Sequence, residues 1–367
     1  MDVNESINQA LNDIREKNNS KQWYNLRPLL GHASWGCWMY ILLGARECGK
    51  SYSVTNFLVD QFVNKGIPFT WLRLTDSQAA KLLQNNAERL VDPDIRRKYN
   101  LDLITRGTNV YQVTKRSEPD KNGKTKVLER KLMARVLALS TFYTDKGSIF
   151  DKDFLKDLTM RYNIACDEFE REKNEKNTFD ILYALTNQLE NLVRSTKERL
   201  KIFFMGNTLE DASDILAGLE FIPEKYGIYK LKSKHAVVHY IEPSQKYLER
   251  RKGTLADILM PEASTFTNKI EEDNTLICKD RLVEPKYIIK FSKNKNDWFT
   301  VWNGNIVAKY NGENKPVRAM RPYIDEMFSA DIQKNMITLF DTRCFQFRNL
   351  VTFKLFQKQM QLLKPRQ

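Results

Sequence analysis

The sequence has few of the residues on which several protein classes depend. Only three histidines occur in 367 residues, and the five cysteines form no C-x-x-C pair. Zinc sites and disulfide frameworks need such residues at close spacing, so we expect neither, and we expect reduced thiols. No uncharged apolar run reaches membrane-spanning length, and residues 1–6 lack the basic and apolar segments of a secretory signal. These absences favour a cytoplasmic protein without a membrane segment.

The composition is that of a folded, basic protein. Hydrophobic residues make up 42% of the chain and aromatic residues 11%, which excludes disorder as a description of the whole chain. The formal net charge is +13, and residues 286–367 hold 15 Lys and Arg against 6 Asp and Glu. A surplus of this kind indicates an anionic partner, with nucleic acid as the first candidate.

One segment matches the phosphate-binding pattern G-x-x-x-x-G-K-[ST] in full. It follows an apolar run of strand length, 38–43, and precedes a segment with helical apolar spacing. Backbone N–H groups of such a loop point at phosphate oxygens, a lysine neutralises the β- and γ-phosphates, and a hydroxyl holds Mg²⁺. The alternative is a plain glycine turn between strand and helix. The predicted ATP-binding residues are Gly44, Ala45, Arg46, Glu47, Cys48, Gly49, Lys50, Ser51 and Tyr52.

Two further strand-like runs end in polar residues. The run 162–168 ends in Asp167 and Glu168, as expected of the second nucleotide-binding strand. Asp167 would then bind the Mg²⁺ shell, and Glu168 would orient the attacking water. Alternatively, both carboxylates cap the next helix. The run 200–206 ends at Asn207, which either senses the γ-phosphate or belongs to a turn.

The order strand, helix, strand, helix in residues 38–90 predicts a parallel sheet with right-handed crossovers. A basic segment interrupts this order, with seven Lys and Arg against three Asp and Glu in residues 115–131. Asn122-Gly123 at its centre is typical of a two-residue hairpin turn. The hairpin either touches nucleic-acid phosphates without reading sequence or aids solubility.

The chain is expected to divide into a nucleotide-binding domain (1–243), a lid and linker (244–285) and a basic C-terminal domain (286–367). The last part begins with strands around an Asn303-Gly304 turn, and a final helix is predicted from about 344 to 363. Its acidic residues show no spacing for a two-metal nuclease site.

Several motifs together resemble the DNA packaging ATPases of small short-tailed bacteriophages with protein-primed genomes. They are Gly44 to Tyr52, Asp167-Glu168-Phe169-x-Arg171-Glu172-Lys173, Lys197-Glu198-Arg199 before Gly206-Asn207, and Leu139-Ser140 followed by Asp145-Lys146. The resemblance implies a P-loop ATPase domain of the ASCE type, which has an added central strand in a mostly parallel sheet. It also implies a smaller α+β domain similar to a ribonuclease H-like nuclease without catalytic acids. The basic hairpin is longer than in this family.

The resemblance further implies a homomeric ring, usually of five subunits, that acts on double-stranded DNA at a capsid portal in the host cytoplasm. Some relatives use a structural RNA. Lys146 and either Arg194 or Arg199 would act on the nucleotide of a neighbouring subunit.

The sequence therefore predicts an ATP- and Mg²⁺-dependent DNA translocase. Other hypotheses are a P-loop kinase or GTPase, a nucleic-acid-binding scaffold that does not hydrolyse nucleotide, and a terminase with nuclease activity.

Overall fold

The structure, a computed structural model, describes residues 23–31, 36–120, 123, 125–142, 161–169, 181–186, 200–207, 214–259, 276–278, 287–290, 298–302, 306–309 and 330–363. The chain forms two compact units. Unit 1 comprises Met1–Leu209 and Pro223–Lys269, and unit 2 comprises Glu210–Ile222 and Ile270–Gln367. The predicted division at 243 and 285 stays a prediction.

Unit 1 contains a nine-stranded sheet with the order β3-β4-β5-β2-β6-β7-β1-β9-β8. Neighbours from β5 to β9 in this order run parallel, whereas the pairs β3/β4, β4/β5 and β8/β9 are antiparallel. The strands are β1 (Met39–Leu43), β2 (Phe69–Arg73), β3 (Leu103–Arg106), β4 (Asn109–Arg116), β5 (Val127–Ala138), β6 (Tyr162–Asp167), β7 (Leu200–Gly206), β8 (Gly227–Leu231) and β9 (Ala236–Tyr240).

The described helices belong to both units. In chain order they are α1 (Lys50–Lys65), α2 (Asp76–Ala87), α3 (Pro93–Tyr99), α4 (Leu139–Phe142), α5 (181–186), α6 (Asp214–Gly218), α7 (Gln245–Arg251), α8 (Leu255–Leu259), α9 (Ala330–Asp341) and α10 (Leu350–Leu363). Short 3₁₀ helices occupy Arg27–Leu30 and Lys232–Lys234. Among the described residues, no helix combines the length and apolarity needed to cross a membrane.

The central strands are apolar along their whole length because both faces of the sheet are covered. All six residues of β6 are buried, as are four of the five in β1. Helix α1 packs its buried side chains Val54, Leu58 and Phe62, spaced four apart, into this core. It ends at Gly66, whose φ of 68° is the left-handed conformation of a predicted glycine cap.

The predicted parallel sheet with an added central strand is confirmed, because β7 lies between β1 and β6. The predicted hairpin is confirmed in its antiparallel pair β4/β5. Its connection is longer than the predicted two-residue turn, because residues 117–126 separate the two strands. Helical spacing in the sequence also predicts a helix from about Ser77 to Leu90, but α2 ends earlier because Asn85 and Asn86 adopt left-handed backbone angles. The sequence further predicts helices at 7–17 and at about 179–199. The first lies outside the described residues, and only 181–186 of the second are described.

Unit 2 contains a four-stranded sheet of β10 (Tyr287–Lys290), β11 (Trp298–Trp302), β12 (Ile306–Lys309) and β13 (Gln346–Phe347). The first three form the predicted antiparallel meander, and β13 pairs parallel to β12. Phe347 and Phe356 are buried in an aromatic core beside it. The final helix was predicted from about Cys344, which is wrong: it begins at Leu350 because the preceding residues form β13. The likeness of this unit to ribonuclease H stays a prediction.

Candidate nucleotide-binding and catalytic site

The phosphate loop lies between the end of β1 and the start of α1, where the sequence predicts it. Glu47 and Gly49 have left-handed φ angles of 59° and 95°, so the loop curls tightly. A Cβ atom on Gly49 would lie 3.3 Å from the Trp23 ring, and one on Gly44 would lie 3.1 Å from the Cys48 sulfur. Glycine is therefore required at both positions by the backbone angle or by close packing.

Lys50 is the first residue of α1 and points back into the loop. Its side chain is buried, and Nζ donates hydrogen bonds to the carbonyl oxygens of Gly44 at 2.8 Å and Ala45 at 2.9 Å. The ammonium group is therefore held inside the curl, next to the positive end of the helix dipole. This arrangement places a cation and the backbone N–H groups of a helix start at one point, which is suited to a phosphate chain.

The carboxyl ends of β1 and β6 bring two distant parts of the sequence together. The Ser51 hydroxyl donates a hydrogen bond of 3.0 Å to Oδ1 of Asp167, across 116 positions of sequence. Both strands run parallel and only β7 separates them, so their ends meet at one edge of the sheet. A hydroxyl and a carboxylate oxygen are ligands that Mg²⁺ prefers, and the pair therefore fits that ion.

Glu168 follows Asp167 in a left-handed conformation, with φ of 53°. Its backbone N–H donates to the carbonyl of Met205 at 2.9 Å, which continues the pairing of β6 with β7. The side chain is 50% exposed, in contrast to the 8% exposure of Asp167. The two adjacent carboxylates thus face different surroundings: one is packed against the loop and one is accessible to solvent.

Arg73 at the end of β2 joins the two carboxylates, and sequence reasoning missed it. Its Nη2 lies 3.0 Å from Asp167, and its Nη1 lies 2.5 Å from Glu168. Its Nε is buried and has no hydrogen-bond partner within the described part of the chain. The available signal was a charged residue at the carboxyl end of a predicted parallel strand next to β6, the edge where such folds bind ligands.

Asn207 follows β7 at the same edge, between the ends of β1 and β6. The preceding Gly206 is packed so closely that an added Cβ would lie 2.9 Å from the Phe169 ring. Position 207 is therefore fixed beside the phosphate loop and the carboxylate pair. Tyr52, in contrast, is 43% exposed on the first turn of α1.

Helix α7, in the segment predicted as lid and linker, contacts the phosphate loop. The Tyr247 hydroxyl donates to the carbonyl of Arg46 at 2.8 Å, and Arg250 donates to the carbonyl of Glu47 at 2.8 Å. Arg251 also lies 3.3 Å from the Glu47 carboxylate. Burial raises the pKa of Tyr247 to about 12, so its hydroxyl stays a donor. The loop is thus held from outside by three side chains of one helix.

The segment before β1 supports the loop from the other side. Tyr24 donates its backbone N–H to the carbonyl of Cys48 at 2.9 Å, and its hydroxyl lies 3.1 Å from Nδ1 of His239. Burial lowers the pKa of His239 to about 3, so this ring is neutral. Trp23 is 45% exposed, and the Arg250 guanidinium lies 3.9 Å from the centre of its ring. Tyr24 is therefore a packing residue, whereas Trp23 offers an accessible aromatic face.

The structure thus brings together the loop, Lys50, Ser51, Asp167, Glu168 and Asn207. The residues expected to act on a neighbouring subunit, Lys146, Arg194 and Arg199, lie outside the described residues.

A phosphate loop leading into a helix, with a carboxylate pair two strands away across one central strand, defines a P-loop NTPase of the ASCE class. The chain belongs to the family described as podovirus DNA encapsidation protein (Gp16), whose model matches residues 18–361. It is accordingly a viral DNA packaging protein.

Solved structures agree with the fold. The chain is similar to the phi28 gp11 DNA packaging motor, with 16% identity, a TM-score of 0.59, and coverage of 94% of this chain and 99% of the other. The structure of the bacteriophage phi29 viral genome packaging motor assembly is similar at 17% identity and a TM-score of 0.58, covering 94% and 100%. A search of curated proteins found no match.

Proposed function

We propose that the chain is the ATP-hydrolysing subunit of a motor that drives double-stranded DNA into a viral procapsid. The observation that carries the proposal is the 3.0 Å hydrogen bond between Ser51 and Asp167, which joins the phosphate loop to the carboxylate strand. A loop and a carboxylate on opposite sides of the molecule could not share one nucleotide. Membership of the encapsidation family supplies the DNA substrate.

The phosphate loop binds the triphosphate. Lys50 exchanges its bonds to the carbonyls of Gly44 and Ala45 for bonds to β- and γ-phosphate oxygens, and the loop N–H groups cradle the chain. Ser51 and Asp167 hold Mg²⁺, which when bound neutralises phosphate charge. The amide of Asn207, which follows β7 at the same edge, would sense the γ-phosphate.

Glu168 acts on the attacking water as general base. Its Oε2 atom is engaged by Arg73, and this ion pair opens when the carboxylate turns towards the attacking water. Arg73 is therefore a positioning residue, because the same guanidinium also binds Asp167. Hydrolysis becomes dependent on whatever moves Arg73 or the end of β2.

The partners follow from the family and its resemblances. We propose a homomeric ring, with five subunits as the usual number, docked on a capsid portal in the host cytoplasm. Lys146 and Arg194 or Arg199 of one subunit would complete the site of the next, adding charge to the transition state. A structural RNA is a further partner in some relatives.

The test is the purified chain with ATP, with and without DNA. Glu168→Gln keeps the size of the side chain and one accepting oxygen but removes the base, so ATP binding should persist while turnover falls by about 10²–10⁴-fold. Glu224→Gln, an exposed carboxylate elsewhere in unit 1, is the matched control.

Unchanged turnover in the Glu168 variant would refute the assignment. Absence of hydrolysis in the parent chain under all conditions would favour the non-hydrolysing scaffold, and transfer of phosphate to an acceptor other than water would favour a kinase.

A further inference from the structure

The β4/β5 hairpin extends beyond the rest of the nine-stranded sheet. Strand β3 pairs with β4 only as far as Gln112, and β2 pairs with β5 only from Ala134 onwards. We define the basic ribbon as residues 113–117 and 125–131, whose strands pair with each other. At its base, the backbone N–H of Val113 also donates to the carbonyl of Asp102 at 2.8 Å. The seven residues of β5 before Ala134 correspond to about 20 Å of extended chain. The ribbon therefore projects from the amino edge, where the parallel strands begin, opposite the phosphate loop.

The ribbon contains register shifts at Val113/Lys115 and Lys115/Arg116, and most of its side chains are exposed, although Val113 at its base is buried. Ser117 donates its backbone N–H to the carbonyl of Lys126 at 2.8 Å, and Lys126 donates back to the Ser117 hydroxyl at 2.8 Å. These bonds hold the strands together near the turn. Leu128 is 56% exposed, so no part of the described chain covers this end of the ribbon.

Most of the ribbon's positive charge is not neutralised within it. Arg116 is bound by Asp102 at 2.6 and 2.8 Å and is therefore committed to a structural contact. Lys115 is 62% exposed and 4.0 Å from Glu129. Lys126 is exposed and forms no ion pair with any described residue. Lys126 is thus available to an external anion. Lys115 is available as well, because a solvent-exposed ion pair of this length holds it only weakly.

The amino edge beside the ribbon is basic as well. Lys65 at the end of α1 and Arg161 just before β6 are exposed, and neither forms an ion pair within the described ranges. Burial lowers the pKa of Lys201 in β7, and the charges of Arg161 and Lys65 lower it further. Lys131 of the ribbon lies 5.5 Å from the Phe62 ring of α1, which connects the two groups. Like charges repel here because nothing in the described chain compensates them.

We infer that the basic ribbon and the amino edge together bind the sugar-phosphate backbone of double-stranded DNA. The choice of DNA as the bound polyanion rests on the proposed function, whereas the affinity for phosphate groups rests on the exposed cations alone. Cations on a two-stranded ribbon can follow a DNA duplex, whose major groove admits such a ribbon. Contacts to phosphates are independent of sequence, as packaging a whole genome requires. Duplex RNA presents a deep and narrow major groove instead, so it fits a ribbon poorly.

The experiment measures binding of the full chain to a short DNA duplex of mixed sequence over a range of salt. The variant Lys115→Gln with Lys126→Gln should weaken binding at low salt by about tenfold or more and reduce the slope of log K against log salt by about 1.8, or about 0.9 per lost phosphate contact. The matched control is Lys225→Gln with Lys246→Gln, two exposed lysines at the carboxyl edge. Lys225 precedes Gly227, which pairs with Tyr240 at the end of β9, and Lys246 lies in the first turn of α7. It should leave affinity within about twofold because it removes equal charge elsewhere.

A second variant, Lys65→Gln with Arg161→Gln, should reduce the slope in the same direction. An unchanged slope in the Lys115 variant, or an equal loss in the control, overturns the inference. So does a loss confined to an RNA duplex of equal length, which would assign the surface to RNA. ATP turnover without DNA should stay unchanged in the ribbon variant, so failure here is separate from failure of the Glu168 test.

Discussion

The two edges of the nine-stranded sheet differ in whether their charged side chains are paired. At the carboxyl edge, Lys50 is held by loop carbonyls, and Arg73 contacts two carboxylates within 3.0 Å. At the amino edge, Lys65 and Arg161 lie close enough to lower the pKa of Lys201, without an ion-pair partner in the described ranges. One edge satisfies its charges internally, and the other requires an anion from outside.

This difference separates chemistry from binding within one domain. Paired groups of opposite sign hold each other in fixed positions, which catalysis requires. Exposed groups of one sign attract a polyanion over a long surface and tolerate sliding along it. Strand β2 runs from one edge to the other, with Phe69 at the amino edge and Arg73 at the carboxyl edge.

The largest effect should come from Lys50→Ala, which removes the cation of the carboxyl edge. We expect ATP turnover to fall by about 10²–10³-fold, the effect of losing a preorganised charge donor. DNA binding through the amino edge should be retained. Lys81→Ala on the exposed face of α2 is the control. If the Lys50 variant also lost DNA binding, the claim that the two edges have separate roles would be wrong.

An intermediate effect should come from Arg73→Gln, which tests the connection between the edges. Without the guanidinium, Glu168 is free whether or not DNA is bound, so DNA should no longer stimulate turnover. Measured kcat should change more than KM for ATP, because Arg73 contacts the carboxylates and not the phosphate loop. Arg73→Lys should restore stimulation only in part, since one ammonium cannot bridge two carboxylates as a guanidinium does. Full stimulation in Arg73→Gln would rule out the positioning role.

The smallest effect should appear in the pH dependence of stability. The folded pKa of His239 is about 3, below the ordinary value of 6.5, so below pH 6.5 the unfolded chain binds the extra proton. Stability from this group is complete above pH 6.5 and is lost as pH falls towards 3. Between pH 7.5 and 5.5 the free energy of unfolding should fall by about 1 kcal/mol in urea titrations.

His239→Gln should remove that part of the pH dependence, and His235→Gln at an exposed position should keep it. The same dependence in both variants would show that His239 is not the group whose protonation lowers the stability.

Much of the carboxyl edge could be predicted from sequence because its residues obey local rules. A glycine pattern after an apolar strand predicts a phosphate loop. An apolar run that ends in Asp167 and Glu168 predicts a strand whose carboxyl end carries both residues at the edge of the sheet. The Asn-Gly turn predicted the β4/β5 hairpin for the same local reason. The prediction that the final helix begins at Cys344 was wrong because residues before Leu350 form β13. This short strand is stabilised by its pairing with β12, and a local sequence pattern carries no information about that pairing.

The sequence by itself determined the phosphate loop, the carboxylate strand and the surplus of positive charge, and the family resemblance implied the added central strand. Only the tertiary structure decided that Arg73 meets both carboxylates, that α7 holds the loop, and that the ribbon lies at the opposite edge from the nucleotide site. The physical reason is distance along the chain. Motifs are set by neighbours within a few residues, whereas ion pairs and edges depend on which strands lie side by side.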